Sequence, residues 1–131
     1  EYARILKDSD FLSGITAIVP IPMYWKKQKR RGYNQAEVFA QGLSIETGIP
    51  LYKDFLEKFE ETESQTRKGR GARLENVEKV FRMNQAYEPQ GEHILLIDDV
   101  LTTGATLEAC AKKIDLNKNK VSMLTMAMGR L

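Results

Sequence analysis

A chain of 131 residues with 42% hydrophobic and 29% charged side chains has the length and balance of one globular domain with a real core. Its 20 basic and 18 acidic residues leave a net charge of +2, too small a global field to recruit nucleic acid or membrane, so electrostatic function must come from local clusters. One cysteine and one histidine exclude an internal disulfide and any Cys/His metal site, and no run approaches the ~18 apolar residues of a membrane span. With no secretory signal in view and a lone thiol, a reducing, cytoplasmic setting is expected.

In chain order, Tyr2, Ile5 and Leu6 are spaced to face a core from a short helix, and Ser13-Gly14 reads as a turn. Ile15 to Val19 is rich in β-branched residues and predicts a buried strand, which Pro20-Ile21-Pro22 must end because proline donates no ladder hydrogen bond. The loop from Met23 to Tyr33 follows, and five of the six residues 26–31 are cationic. Asn34 is placed to cap a helix, with Glu37 three residues on and Ala36, Phe39, Ala40 and Leu43 at helical spacing; Gly48 and Pro50 stop it.

Leu51 to Phe59 predicts a strand, or a connector leading into one. Residues 60–76 are polar and predict a long exposed loop of the kind that serves as a lid or binding element. Within it Arg67, Lys68 and Arg70 suit either a solvated tip or a phosphate contact, and Gly69 and Gly71 follow no strand and make no dinucleotide fingerprint. Val77, Val80, Phe81 and Met83 resume strand character, giving a hairpin around that loop.

The stretch Ile94 to Thr106 organises the rest. Ile94-Leu95-Leu96-Ile97 shows no alternation and predicts a strand buried on both faces. Asp98 and Asp99 follow where a parallel strand would reach the carboxyl edge of its sheet. Thr102-Thr103-Gly104-Ala105-Thr106 then supplies three hydroxyls around a glycine, and Leu107, Cys110, Ala111 and Ile114 mark one face of a helix. Such a loop suits a phosphate, through free helix-start amides, hydroxyl donors and close backbone approach at Gly104. Two acids beside it would repel that phosphate, and make sense facing neutral hydroxyls or a divalent cation on the same ligand; a sugar phosphate meets both demands. Cys110 falls on the core side of that helix and reads as a small buried hydrophobe, and His93 as a strand-entry residue. Asn117 to Lys120 predicts a turn, and Val121 to Met128 a last strand whose methionines fill the core. Alternating strands and helices imply an α/β domain spanning 1–131, with a mainly parallel twisted sheet flanked by helices and ligands at its carboxyl edge.

Residues 94–106, four apolar, two acidic, one apolar and then T-T-G-A-T, resemble the phosphoribosyl pyrophosphate (PRPP) signature of the type I phosphoribosyltransferases. Val19-Pro20-Ile21-Pro22, the basic stretch and Arg31-Gly32-Tyr33-Asn34-Gln35 resemble the ComF family, competence-associated proteins with a phosphoribosyltransferase-like domain, and Gln65, Arg73, Asn76, Val77 and Phe81 continue the match. The resemblance covers nearly the whole chain from Ile15. ComF proteins commonly carry a Cys-rich zinc-binding segment upstream; this chain has no such cysteines, so either that segment was trimmed or this member lacks it, the second being the expectation.

What the resemblance implies is transfer of phosphoribose from PRPP to an acceptor with release of pyrophosphate. Asp98 and Asp99 would bind the ribose hydroxyls and help place Mg²⁺, indirectly. Thr102, Thr103, Gly104, Ala105 and Thr106 would seat the 5′-phosphate. Arg30, Arg31 and, as a catalytic residue with the acid pair, Arg73 would neutralise the pyrophosphate. The 60–76 loop would act as a mobile lid that excludes water. No acceptor-binding hood is visible, so the acceptor is not given. The alternative is a non-catalytic module that senses PRPP or binds single-stranded DNA during competence, using the basic segments 26–31 and 67–73 beside Tyr24, Trp25 and Tyr33. Expected partners are therefore PRPP and pyrophosphate, or single-stranded DNA and competence proteins, with a homodimer open. A P-loop kinase is excluded because no G-x-x-x-x-G-K-[ST] occurs.

Overall fold

The computed structural model of the chain describes residues 2–23, 29, 32–59, 80–101 and 104–128. The elements run α1 (Tyr2–Lys7), a short 3-10 turn (Asp10–Leu12), β1 (Ala17–Pro20), α2 (Gln35–Thr47), β2 (Leu56–Lys58), β3 (Phe81–Met83), β4 (His93–Leu101), α3 (Ala105–Ala111) and β5 (Lys120–Met128). β1, β4 and β5 form a parallel sheet in the order β1-β4-β5. Leu51 adds one parallel bridge to Ile18 on the other edge of β1. β2 and β3 make a separate antiparallel pair. No helix among the described residues is long and apolar enough to cross a membrane.

The unbroken apolar run of β4 has a direct physical cause, because both faces of the sheet are covered. Ile94 and Leu96, with Ala17 and Val19 of β1, pack against Leu107, Cys110 and Ile114 on the α3 side and against Phe55 and Phe81 at the hairpin. Leu95 and Ile97, with Ile18, face the other way, onto Ala36, Ala40 and Leu43 of α2 and Leu6, Leu12 and Ile15 from the amino-terminal segment. Side chains of one strand alternate between faces, so a strand with two covered faces needs apolar residues at every position.

α2 begins and ends as its sequence predicts. The Asn34 side chain accepts from the Ala36 amide, and Gly48 closes the helix in the left-handed conformation at φ 77°. Glu37 does not complete a capping box; its carboxylate pairs with Lys53 at 3.1 Å.

Several expectations are corrected. The first strand is Ala17–Pro20 rather than Ile15–Val19, with Pro20 as its last residue. The Leu51–Phe59 stretch takes the second of its two expected forms, a connector leading into the strand Leu56–Lys58, though Phe59 is exposed. Leu6 is buried but Ile5 is 60% exposed, because the six-residue α1 turns only one face to the core. Met123 and Met126 are 44% and 42% exposed rather than core fillers. Among the described residues their strand has a neighbour on one side only, so side chains on both of its faces stay partly open.

Candidate functional site

The acid pair sits where the sheet narrows. β1 stops at Pro20, opposite Ile97, while β4 runs on to Leu101 paired with β5 alone, Asp98 lying opposite Thr125. Asp98 and Asp99 are therefore part of the strand rather than of a loop after Ile97, the predicted strand end. They do occupy its carboxyl end, beyond the reach of β1. The Ile21 amide donates to the Ile97 carbonyl at 2.8 Å, so the chain leaves β1 directly beside the acid pair.

The two carboxylates are half-buried and interact. The Asp99 amide donates to Asp98 Oδ1 at 2.9 Å. Burial, reinforced by the side chain of Asp99, pushes the Asp98 carboxyl up to about 7; the Asp99 amide and the positive charge of Lys58 act the other way. Near neutral pH Asp98 stands between acid and carboxylate, the behaviour of a group placed to exchange its proton for a cation or a hydroxyl donor.

Past the strand, Gly104 starts α3 in the left-handed conformation, φ 79°, with no side-chain cap, and its carbonyl accepts from the Glu108 amide at 2.9 Å. A strand that turns this sharply into a helix needs a residue free to take positive φ, which is why a glycine stands among the threonines. Ala105 is buried and Thr106 half-buried. The structure thus brings Asp98, Asp99, Gly104, Ala105 and Thr106 together at one strand end, next to the start of the basic loop. Arg30, Arg31, Arg73, Thr102, Thr103 and the 60–76 segment lie outside the described residues, as do Gln65, Asn76 and Val77.

Asn34 links the start of α2 to the segment that follows β1. Buried at 6% exposure, it accepts from the Ala36 amide at 3.0 Å and donates from Nδ2 to the Ile21 carbonyl at 3.1 Å, so one side chain caps α2 and holds the residue after β1. Asn34→Ala removes the cap and orphans a buried carbonyl, and is expected to cost about 2 kcal/mol. Asn34→Ser keeps a capping oxygen and loses the amide that reaches Ile21. Urea midpoints of the two variants should separate these effects; equal midpoints would contradict the double role.

Two features were not anticipated from the sequence. Lys58, at the end of β2, lies over the Phe81 ring at 5.4 Å and is close enough to Asp98 to oppose its raised pKa. No local pattern marks it, because its place depends on hairpin register. A cavity of about 260 Å³ opens at the carboxyl end of β1, lined by Pro20, Pro22, Asn34, Glu37, Lys53 and Lys58 among others. Cys110 is fully buried, and burial first, then the charge of Asp98, push its thiol well up, so it packs and does not attack.

Comparison with known proteins places this arrangement. Residues 30–119 match the model of the phosphoribosyl transferase domain. Competence protein F of Haemophilus influenzae is 35% identical over 97 residues, 73% of this chain and 42% of that protein. Competence protein ComFC of Bacillus subtilis is 32% identical over 126 residues, 95% of this chain and 46% of its own length. DNA utilization protein YhgH of Escherichia coli is 30% identical over 95 residues, 72% and 41% of the two chains. This chain spans less than half the length of these relatives. Among solved structures, an adenine phosphoribosyltransferase superposes with a TM-score of 0.64 at 13% identity, over 98% of this chain and 65% of that one. The purine phosphoribosyltransferase of Pyrococcus horikoshii gives 0.56 at 14% identity, over 98% and 78%. These likenesses show the type I phosphoribosyltransferase fold, a mainly parallel sheet flanked by helices. With the acid pair and glycine turn at the carboxyl end of its central strand, the chain belongs to the phosphoribosyl transferase domain family and, within it, to the ComF group of competence-associated proteins.

Proposed function

We propose that this domain binds PRPP with Mg²⁺ at the carboxyl end of β4 and transfers its phosphoribosyl group to an acceptor, releasing pyrophosphate. The observation that carries the reading is the half-buried Asp98–Asp99 pair beside the Gly104 turn, in a chain of the phosphoribosyl transferase domain family. Asp98 and Asp99 accept hydrogen bonds from the ribose hydroxyls. Thr102 to Thr106, through hydroxyls and backbone amides, seat the 5′-phosphate. Arg30, Arg31 and Arg73 neutralise the pyrophosphate, and the 60–76 segment closes as a lid that keeps water from the sugar. In the step itself the anomeric C–O bond breaks, its electron pair leaves with pyrophosphate, and the acceptor forms the new bond and gives up its proton.

The donor set fits Mg²⁺. Asp98 and Asp99 offer hard oxygen atoms only, and no group of three or more His, Cys, Asp or Glu among the described residues could hold a metal alone. Mg²⁺ is commonly bound by one or two carboxylates with water and substrate phosphates. When bound it would draw charge from the departing pyrophosphate.

A second reading, a PRPP sensor or single-stranded-DNA module without catalysis, is favoured by the names of the relatives, competence and DNA utilization proteins, and by Tyr33, 48% exposed at the end of the basic loop. Both readings suit a cytoplasmic protein that serves DNA uptake or nucleotide metabolism. Pyrophosphate release from PRPP, followed over panels of amines and nucleobases, tests transfer. Acceptor-dependent release at pH 8 is expected. It should fall about tenfold per pH unit below about 7, beyond the ligand's own protonation, as Asp98 takes up its proton. Binding of single-stranded DNA that weakens steeply with salt, with no release for any acceptor, would favour the second reading instead.

A further inference from the structure

The parallel sheet has a second end, which the candidate site does not use. Because β1, β4 and β5 all run the same way, their starts gather at the opposite edge, and there a cleft of about 580 Å³ opens. Small-molecule sites fall at roughly 300–1,000 Å³. Its walls are the Ser13–Thr16 turn, the Gly91–His93 entry to β4 and the Leu116–Lys120 turn before β5.

Those walls are fastened to one another. Asn119, buried at 6% exposure, accepts from the Glu92 amide at 3.1 Å and donates to the carbonyls of Pro89 at 2.9 Å and Asp115 at 3.1 Å. The Gly91 amide donates to the Lys118 carbonyl at 2.8 Å, and the His93 amide donates to Thr16 Oγ1 at 3.0 Å. A cleft built this way pays little ordering cost on binding.

Its chemistry favours an anion. His93 Nε2 lies 2.7 Å from Ser122 Oγ, which fixes the ring. Nδ1 lies toward Gly14, where an added side-chain carbon would come within 3.7 Å of it, and it has no hydrogen-bond partner among the described residues. In the tautomer in which the Ser122 hydroxyl donates to Nε2, Nδ1 carries the hydrogen and offers it to the cleft. Lys118 and Lys120 add two exposed cations. The cleft's one carboxylate, Glu92, has Oε1 engaged by the Tyr52 hydroxyl at 3.1 Å and Thr16 Oγ1 at 3.3 Å. Leu116, 58% exposed, gives one wall an apolar surface.

We propose that this cleft is a second binding site, for a small phosphorylated molecule with an apolar or flat portion, nucleotide-like in size. The phosphate meets His93, Lys118 and Lys120, and the apolar part lies on Leu116. His93 opens the strand that Asp98 nearly closes, roughly 17 Å away at ~3.3 Å per residue, so a ligand here holds the far end of the strand that carries the acid pair.

The test is a titration of the ¹⁵N-labelled chain with AMP, followed by amide shifts. Saturable shifts at Thr16, His93 and Lys118 to Lys120 are expected, weakened about tenfold or more by Lys118→Glu with Lys120→Glu, both exposed positions. They should persist in Asp98→Asn with Asp99→Asn, which separates this site from the proposed PRPP site; inorganic phosphate should bind more weakly than AMP. No saturable shift at this end, shifts untouched by the charge reversals, or inorganic phosphate binding as well as AMP would overturn the proposal.

Discussion

Asp98→Asn is expected to make the unliganded domain more stable above pH 7 while weakening its proposed ligand site. In the folded chain the Asp98 carboxyl is raised from 3.8 to about 7, chiefly by burial. Between those values the folded state holds a proton that the unfolded chain has released, so stability falls as pH rises through the interval and stays low above it. An interval of 3.2 pH units at ~1.36 kcal/mol each sets an upper bound of about 4 kcal/mol, and partial solvent access reduces it to roughly 2–3. Asparagine is nearly isosteric, keeps an oxygen for the Asp99 amide and carries no charge to desolvate. Urea midpoints of the two proteins should coincide near pH 4 and diverge in favour of the variant by pH 8.5. Parallel profiles, or a variant less stable at pH 8.5, would contradict the strained carboxylate.

The second large effect concerns the hairpin. Phe55 is fully buried, with ring centroids 6.0 Å from Tyr52 and 5.3 Å from Tyr87, and its carbonyl accepts from the Asn84 amide at 2.8 Å. It belongs to the apolar cluster shared with Val19, Leu96 and Cys110, so it fastens β2 and β3 to the α3 side of the sheet. Phe55→Ala leaves a cavity the neighbours fill only in part, and should cost about 3–5 kcal/mol. Amide exchange should quicken most in Leu56–Lys58 and Phe81–Met83, ahead of β1 and β4. A loss below about 1 kcal/mol, or uniform acceleration, would show that the hairpin does not depend on this ring.

What could be read from the sequence was local. The Ile94–Ile97 run announced a strand covered on both faces, and the division of Ile94 and Leu96 from Leu95 and Ile97 between two clusters bears that out. Asn34 and Gly48 marked the ends of α2 because caps act within a few residues of themselves. The misses were set by partners far along the chain. β4 extends through Asp98 and Asp99 because β5 pairs with it past the end of β1. Met123 and Met126 are exposed because, among the described residues, strand order puts β5 on the outside, and order is not written in the strand's own residues. Glu37 turned to Lys53, and Lys58 came near Asp98, through contacts that no spacing rule encodes. Of the candidate site, the acid pair and the glycine turn were legible because one strand and its following turn carry both.

Calorimetric titration of PRPP into the chain would decide whether the carboxyl end of β4 binds PRPP through Asp98 and Asp99 with Mg²⁺. Saturable binding at pH 8 that requires Mg²⁺ and weakens by about a hundredfold or more in Asp98→Asn with Asp99→Asn is the predicted result. No binding by the folded chain, or equal binding by the double variant, would contradict it.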